Sequence, residues 1–225
     1  MKSDYLGILS SIKQDIERYE ISQINKPSLI VVTKSQSNED IEKIVEAGNK
    51  CLGENYVDEA IKKIDFFKTR SLEWHFIGKI QSNKIKKISK YFDWVQTISS
   101  IKHAELFNQA CEGLSKKMNV CIQVNIDREQ SKSGILIEDL DDLIVNILPL
   151  NNLILRGLMA IPSKINALKE NINSYKILKS EYDRLQHKYK SFNTLSIGMS
   201  NDYKLAIDNG SNMVRIGSLI FGERK

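Results

Sequence analysis

The sequence predicts a single (β/α)8 TIM barrel over residues 1–225, with one extra helix at the N-terminus. Three observations predict it. Short β-branched runs alternate with amphipathic segments along nearly the whole chain, the pattern of βαβ units and a parallel sheet. The count is eight strands, seven of them followed by a helix, with the N-terminal helix as the remaining partner. The length of 225 residues falls on the short side for eight such units, which usually take about 250. A doubly wound open sheet is the alternative, but no G-x-G-x-x-G opens a helix after the first strand.

"MKSDYLGILSSIKQDIERYE" (1–20) is an amphipathic helix that carries acids, unlike a signal peptide. "SLIVVTK" (28–34) is a buried strand that ends on a lysine. In "NEDIEKIVEAG" (38–48), Ile41, Ile44 and Val45 share one helical face and Gly48 is the stop. "KCLGEN" (50–55) is a short second strand, and "DEAIKKIDFF" (58–67) is the helix after it. "EWHFIG" (73–78), the third strand, carries His75 and leads into the helix "NKIKKISKYF" (83–92). "DWVQTIS" (93–99) and "HAELFNQACEGLSKK" (103–117) form the next pair, then "NVCIQVNI" (119–126) and "LIEDLDDLIVNILPL" (136–150). "LILRGLMAIP" (153–162) precedes a long helix over 166–189. "NTLSIGM" (193–199) precedes "SNDYKLAIDNG" (200–210), and "NMVRIGSLIFG" (212–222) closes the chain as strand eight.

The composition fits one globular domain: 41% of residues are hydrophobic, 27% are charged, and three prolines with no Gly/Ser tract leave no linker. Apolar runs such as "LILRGLMAIP" are too short to cross a bilayer, so no membrane partner is expected. Cys51, Cys111 and Cys121 form no metal or disulfide pattern, and they point to a reducing, cytoplasmic setting. The net charge is +5, and lysines cluster at Lys79, Lys84, Lys86, Lys87 and Lys90. No nucleic-acid motif accompanies them, so they read as a solvated helix face and no nucleic-acid partner is expected. With no heptad seam or spare domain, the chain is expected to be a monomer.

Active sites of such barrels lie at the C-terminal strand ends. Strand alternation puts Lys34 on one face with Val32 and Ile30, and Thr33 on the other with Val31 and Leu29. The sequence leaves open which face points inward. Inward, the lysine suits Schiff-base chemistry; outward, it snorkels into solvent. Arg215 shares a face with Met213 and Gly217 inside an apolar run. Such a group pairs either with an acid, Glu54 being the candidate, or with an acceptor on a ligand. Barrels of this kind often hold phosphate by the loops after strands seven and eight. Here Ser200 reads as N-cap of the helix after strand seven, Gly217 permits close approach, and Ser218 adds a hydroxyl. Ser200 could equally serve as a plain helix cap. A lysine, a phosphate grip and an arginine between them suggest pyridoxal 5′-phosphate (PLP). Its aldehyde would lie on Lys34, its phosphate on Ser200, Gly217 and Ser218, and its pyridine nitrogen against Arg215. A protonated arginine would leave that nitrogen unprotonated and weaken the ring as an electron sink.

The segments "VVTKSQSNEDI", "AGNKCLGENYVDEA", "WHFIGKIQSNK", "VCIQVNIDREQSKSGI", "LRGLMAIPS" and "LSIGMSNDYKLAIDNGSNMVRIGSLIFGER" run in order from about Leu29 to Arg224. Together they resemble the YggS/PROSC family of PLP homeostasis proteins. The resemblance implies a barrel of the alanine racemase N-terminal-domain type with PLP bound as a Schiff base. By motif position it assigns the lysine to Lys34, the asparagine of "GEN" to Asn55, the serine of "GMS" to Ser200, and the "R-[IV]-G-[ST]" segment to Arg215–Ser218. Lys79 stands where proline or histidine is common, and the usual "KTKP" after the lysine is missing. Neither departure touches a proposed contact. The resemblance implies binding, buffering and carriage of PLP, with PLP-dependent apoenzymes as partners, indirect effects on amino- and keto-acid balance, no catalytic residue and no metal. Racemases of this fold carry a second, β-rich domain that helps supply a catalytic tyrosine. The chain ends at Lys225, just after strand eight, so no such domain is expected, and nothing marks Tyr56 as an acid. A racemase-like PLP enzyme is the alternative; a barrel enzyme acting on a phosphorylated metabolite through Lys34 is a third reading. Lys132 in "QSKSGI" reads as loop charge rather than a second aldehyde acceptor.

Overall fold

The first and last strands of the chain are neighbours, and that pairing decides the architecture. In the computed structural model, which describes residues 4–20, 27–163 and 172–222, eight parallel strands close into a barrel in sequence order. They are β1 (Ser28–Val32), β2 (Cys51–Glu54), β3 (Glu73–Phe76), β4 (Trp94–Ile98), β5 (Met118–Val124), β6 (Leu153–Ala160), β7 (Thr194–Ser196) and β8 (Met213–Ile216). β1 pairs with β2 on one side and β8 on the other, with Ile30 opposite Arg215. An open doubly wound sheet has no such pairing.

The helices lie outside: α1 (Tyr5–Glu20), α2 (Asn38–Glu46), α3 (Val57–Phe66), α4 (Ile85–Tyr91), α5 (Ile101–Glu112), α6 (Leu140–Ile147), α7 (Asn173–Lys188), α8 (Tyr203–Asp208) and α9 (Ser218–Phe221). Their starts follow from local chemistry. Ser37 caps α2 by accepting from the Asp40 N–H at 3.2 Å, and Ser100 caps α5 by accepting from the His103 N–H at 3.3 Å. Ile41 and Ile44 turn the buried face of α2 to the sheet, and Gly48, at φ +83°, takes the left-handed conformation just past its end. Among the described residues, no helix is long and apolar enough to cross a membrane.

One expected element differs, and another is described only in part. The eighth strand ends at Ile216 rather than 222, because Ser218–Phe221 turns into a short helix. Every strand is thus followed by a helix among the described residues, and α1 is a further one that seals the β8–β1 side, with Tyr5 edge-on to Phe221 at 5.4 Å. The long helix expected over 166–189 is described from Asn173 to Lys188, and its first part lies outside the described residues.

Two hydrophobic layers result. The larger lies between the strands' outer faces and the helices. The smaller fills the barrel and comprises Ile30, Trp94, Cys121, Met159 and Met213. Polar His75, Gln96, Ser196 and Arg215 are buried among the strands as well. Cys51, Cys111 and Cys121 are free thiols, and burial pushes the Cys51 and Cys121 thiols up to about 12.

Candidate functional site

A cavity of about 450 Å³ opens at the C-terminal ends of β1, β2, β6, β7 and β8, and Lys34, Asn55, Ser200, Arg215, Gly217 and Ser218 all line it. Its volume lies within the range of small-molecule sites, roughly 300–1,000 Å³.

Barrel closure settles the question that alternation left open on β1. Ile30 lies in the inner cluster and Val32 lines the cavity, so Lys34, on the same face, reaches the mouth. Leu29, Val31 and Thr33 face the helices. The turn that carries Lys34 is built tightly. Ser35 sits at φ +62°, an unusual conformation for a non-glycine residue. The Ser35 N–H donates to Glu59 Oε1 at 2.5 Å, and the Gln36 N–H closes the turn on the Thr33 carbonyl at 3.0 Å. Beneath it, the buried Lys63 ammonium donates to the Thr33 carbonyl at 2.6 Å, to Glu54 Oε1 at 2.7 Å and to Glu59 Oε1 at 2.6 Å. Thr33 Oγ1 donates to the same Glu54 oxygen at 2.7 Å. Burial raises the Glu54 carboxyl above its ordinary value, although Lys63 and Thr33 pull it down. Glu54 therefore belongs to the turn beneath Lys34, on the outer side of the sheet. The alternative pairing of Arg215 with Glu54 does not occur.

Asn55 follows β2. Its carbonyl lies so close to Gly78 that a Cβ there would come within 2.1 Å of it, so only glycine lets these two strand ends meet. The Asn55 Oδ1 is buried without a hydrogen-bond partner, a costly state that a donor on a bound ligand would relieve. Asn55 also lines a smaller neighbouring cavity of about 230 Å³, together with Lys79 and Lys132. Lys132 is occupied there: it donates to the Ile161 and Pro162 carbonyls at 3.2 and 3.0 Å and pairs with Glu129 at 2.9 Å.

Ser200 has a different role from the one expected. The N-cap position of α8 is Asp202, whose carboxylate accepts from the Met199 N–H and the Tyr175 hydroxyl, each at 2.6 Å. The Ser200 hydroxyl instead crosses to the other loop and accepts from the backbone N–H groups of Leu219 at 3.1 Å and Gly217 at 3.4 Å. Two amides that an anion would seek thus converge on one oxygen at the cavity wall. A Cβ on Gly217 would sit 3.1 Å from Val32, so glycine keeps the β8 end close to β1. Ser218 is exposed at the start of α9.

Arg215 is 4% exposed. It donates to Ser196 Oγ at 2.6 Å and to the Ala160 carbonyl at 3.0 Å. Burial lowers it to about 10, with Asp202 pulling the other way. The sequence reading passed over Ser196 and Gln96, although both are polar residues inside strands, as Arg215 is. It also missed the apolar floor made by Met159 and Ile161 and the wall formed by Phe221.

Fold and cavity together define a ligand-binding (β/α)8 barrel whose mouth gathers a lysine, a buried arginine and converging backbone amides. The chain belongs to the alanine racemase N-terminal domain family, which matches residues 9–225, and within it to the pyridoxal phosphate homeostasis proteins. The pyridoxal phosphate homeostasis protein of Pasteurella multocida is 41% identical over 224 residues, covering 96% of each chain. Among solved structures, PipY of Synechococcus elongatus without PLP superposes with a TM-score of 0.89 at 28% identity, covering 97% of this chain and all of PipY. PipY with PLP bound gives 0.85 at 27% identity over the same share.

Proposed function

We propose that this chain binds PLP at the barrel mouth and acts in PLP homeostasis and carriage, with indirect effects on amino- and keto-acid balance. The observation that carries the reading is the convergence of Lys34, Arg215 and the amides held by Ser200 on one cavity of suitable size. The likeness to the PLP-bound form of PipY supports it. PLP supplies an aldehyde that condenses with a primary amine and releases water. Lys34 offers that amine from a turn set by Ser35 and Glu59. The loops at Ser200 and Gly217–Ser218 would hold the phosphate, with backbone N–H groups and hydroxyls as donors. Arg215, held by Ser196 and the Ala160 carbonyl, would face the ring and keep its charge without giving up a proton. Asn55 supplies an acceptor from β2.

The 1–225 chain is read as one domain, a monomeric carrier without turnover, whose partners are PLP and PLP-dependent apoenzymes. The three free cysteines fit a reducing cytoplasm. After reconstitution with PLP, the protein should show a visible absorbance band. Borohydride reduction and peptide mapping should place the label on the peptide containing Lys34, and Lys34→Ala should abolish both. Label on another lysine, or no band, overturns the assignment. Deuterium wash-in at Cα of a panel of amino acids at ordinary enzymatic rates would replace the carrier reading with the racemase-like one.

A further inference from the structure

A chain of hydrogen bonds runs up the barrel interior from the N-terminal rim to the site. Arg215 donates to Ser196 Oγ at 2.6 Å, and Ser196 Oγ and Gln96 Oε1 lie 2.7 Å apart. Gln96 Nε2 is 3.1 Å from His75 Nδ1, and His75 Nε2 is 2.8 Å from Glu73 Oε1. The direction of every bond follows from the first. A guanidinium can only donate. Ser196 Oγ accepts from it, so its own proton goes to Gln96 Oε1. The Gln96 amide nitrogen therefore faces His75 and donates, its other N–H meeting Met213 Sδ at 3.2 Å. His75 Nδ1 must accept, so the ring proton lies on Nε2 and points at the Glu73 carboxylate.

The two ends of this chain carry opposite charges. Arg215 is almost fully buried; among the described residues no carboxylate lies within ion-pair distance of it, and Asp202, which lines the same cavity, acts on it only from further off. Buried charges are seldom left so. Glu73 is partly exposed at the start of β3, and its carboxyl is held below its ordinary value, chiefly by the bond from His75. We propose that Glu73 is a second, remote counter-ion of Arg215 beside Asp202, joined to it through His75, Gln96 and Ser196, and that this relay holds the guanidinium as a one-way donor toward the ligand at the mouth. The inference rests on the PLP reading only for what the ligand is. Each intermediate group turns its acceptor end toward Arg215 and its donor end toward Glu73, so the dipoles add along the chain. Ser196, Gln96, His75 and Glu73 are positioning residues that act through Arg215.

Cys51 Sγ, a Glu73 carboxylate oxygen and a His75 ring nitrogen also lie within 4.8 Å of one another, as metal ligands would. The relay argues against that use. The Nε2 facing the carboxylate carries its proton, and the Arg156 guanidinium lies 5.6 Å from the Trp94 ring that stacks on His75.

The test has one arm that needs no PLP. In the 15N NMR spectrum of the apo-protein, the His75 ring, assigned by its loss in His75→Asn, should show a protonated Nε2 and an unprotonated Nδ1. Gln96→Glu puts an acceptor opposite Nδ1 and should move a proton to that nitrogen. Ser196→Ala cuts the relay above Gln96 but leaves the Glu73 carboxylate facing Nε2, so the proton should stay on that nitrogen. In the PLP-loaded protein, Ser196→Ala should speed PLP loss about tenfold, the size of one lost hydrogen bond to a charged group. Glu73→Gln keeps an acceptor but removes the charge and should speed loss about threefold. A wild-type ring protonated on Nδ1, or one unchanged in Gln96→Glu, overturns the relay. PLP retention unaltered in Glu73→Gln overturns the counter-ion assignment. A protein that binds no PLP but shows the expected tautomers sinks the PLP reading and leaves the relay standing.

Discussion

Lys34 is held by its neighbours more than by its own strand. β1 ends at Val32, and the lysine stands in a turn whose next residue, Ser35, takes the left-handed conformation. Such strain persists only when the surroundings over-determine it. Here Glu59 takes the Ser35 N–H while Lys63 holds the Thr33 carbonyl, so the backbone on both sides of Lys34 is fixed. None of this was legible in "VVTKSQS", because the groups that set the turn lie on β2 and α3. Ser200 was legible as a site residue but not in its role. Its position after strand seven suggested a cap for the next helix, whereas the loop carries the hydroxyl across to α9. This changes what its removal does. Ser200→Ala deletes an acceptor for the Gly217 and Leu219 N–H groups and a donor to an incoming phosphate. Equilibrium dialysis should show weaker PLP retention, by about 1–2 kcal/mol for one charge-assisted bond. Retention equal to wild type would remove Ser200 from the phosphate grip.

At the scale of elements, period and turn chemistry revealed most of the barrel, and the failures share a cause. "SLIF" is a short apolar run, and such a run reads the same as strand or helix. Only its place beyond the closing strand makes it α9. Inward and outward faces were likewise invisible on β1, since both carry apolar residues, and closure against β8 decided them. The N-terminal helix was read both as an extra element and as the eighth strand's partner; α9 takes the second role, α1 is the extra element, and its anchor was not visible. Asp15 on α1 accepts from the Tyr203 hydroxyl at 2.7 Å and pairs with Lys204 at 2.9 Å, both at the start of α8. Those two partners hold the Asp15 carboxyl below its ordinary value of 3.8. A lowered carboxyl stabilises the folded state fully above its unfolded value and loses that contribution as pH falls through the folded one. Hydrogen-exchange protection of α1 should therefore fall selectively below about pH 4. Asp15→Asn should cost about 1 kcal/mol at neutral pH and remove that pH dependence. Protection of α1 that is flat with pH in the wild type would show that Asp15 does not anchor the helix.

At the scale of the molecule, the two handles on the ligand sit on opposite ends of the chain and meet only because the barrel closes. Lys34 follows the first strand, while Gly217 and Ser218 follow the last, and β1 and β8 are hydrogen-bonded neighbours. A ligand that bridges them ties the N-terminal and C-terminal strands together in the folded state and has nothing comparable to bind in the unfolded one. Binding of that kind stabilises by about 2.7 kcal/mol at a free concentration of 100 times Kd. For a chain of this size, each kcal/mol raises Tm by about 2–4 °C. PLP at that excess should thus raise Tm by several degrees. Pyridoxal keeps the aldehyde but lacks the phosphate, and inorganic phosphate has only the other handle. Each alone engages one side of the β1–β8 seam and should shift Tm much less than PLP at equal concentration. In Lys34→Ala, the PLP shift should shrink toward that given by phosphate, since only the grip beyond β8 remains. If pyridoxal stabilises the wild type as strongly as PLP does, the phosphate does not bridge the seam, and Gly217 and Ser218 have no part in holding the ligand.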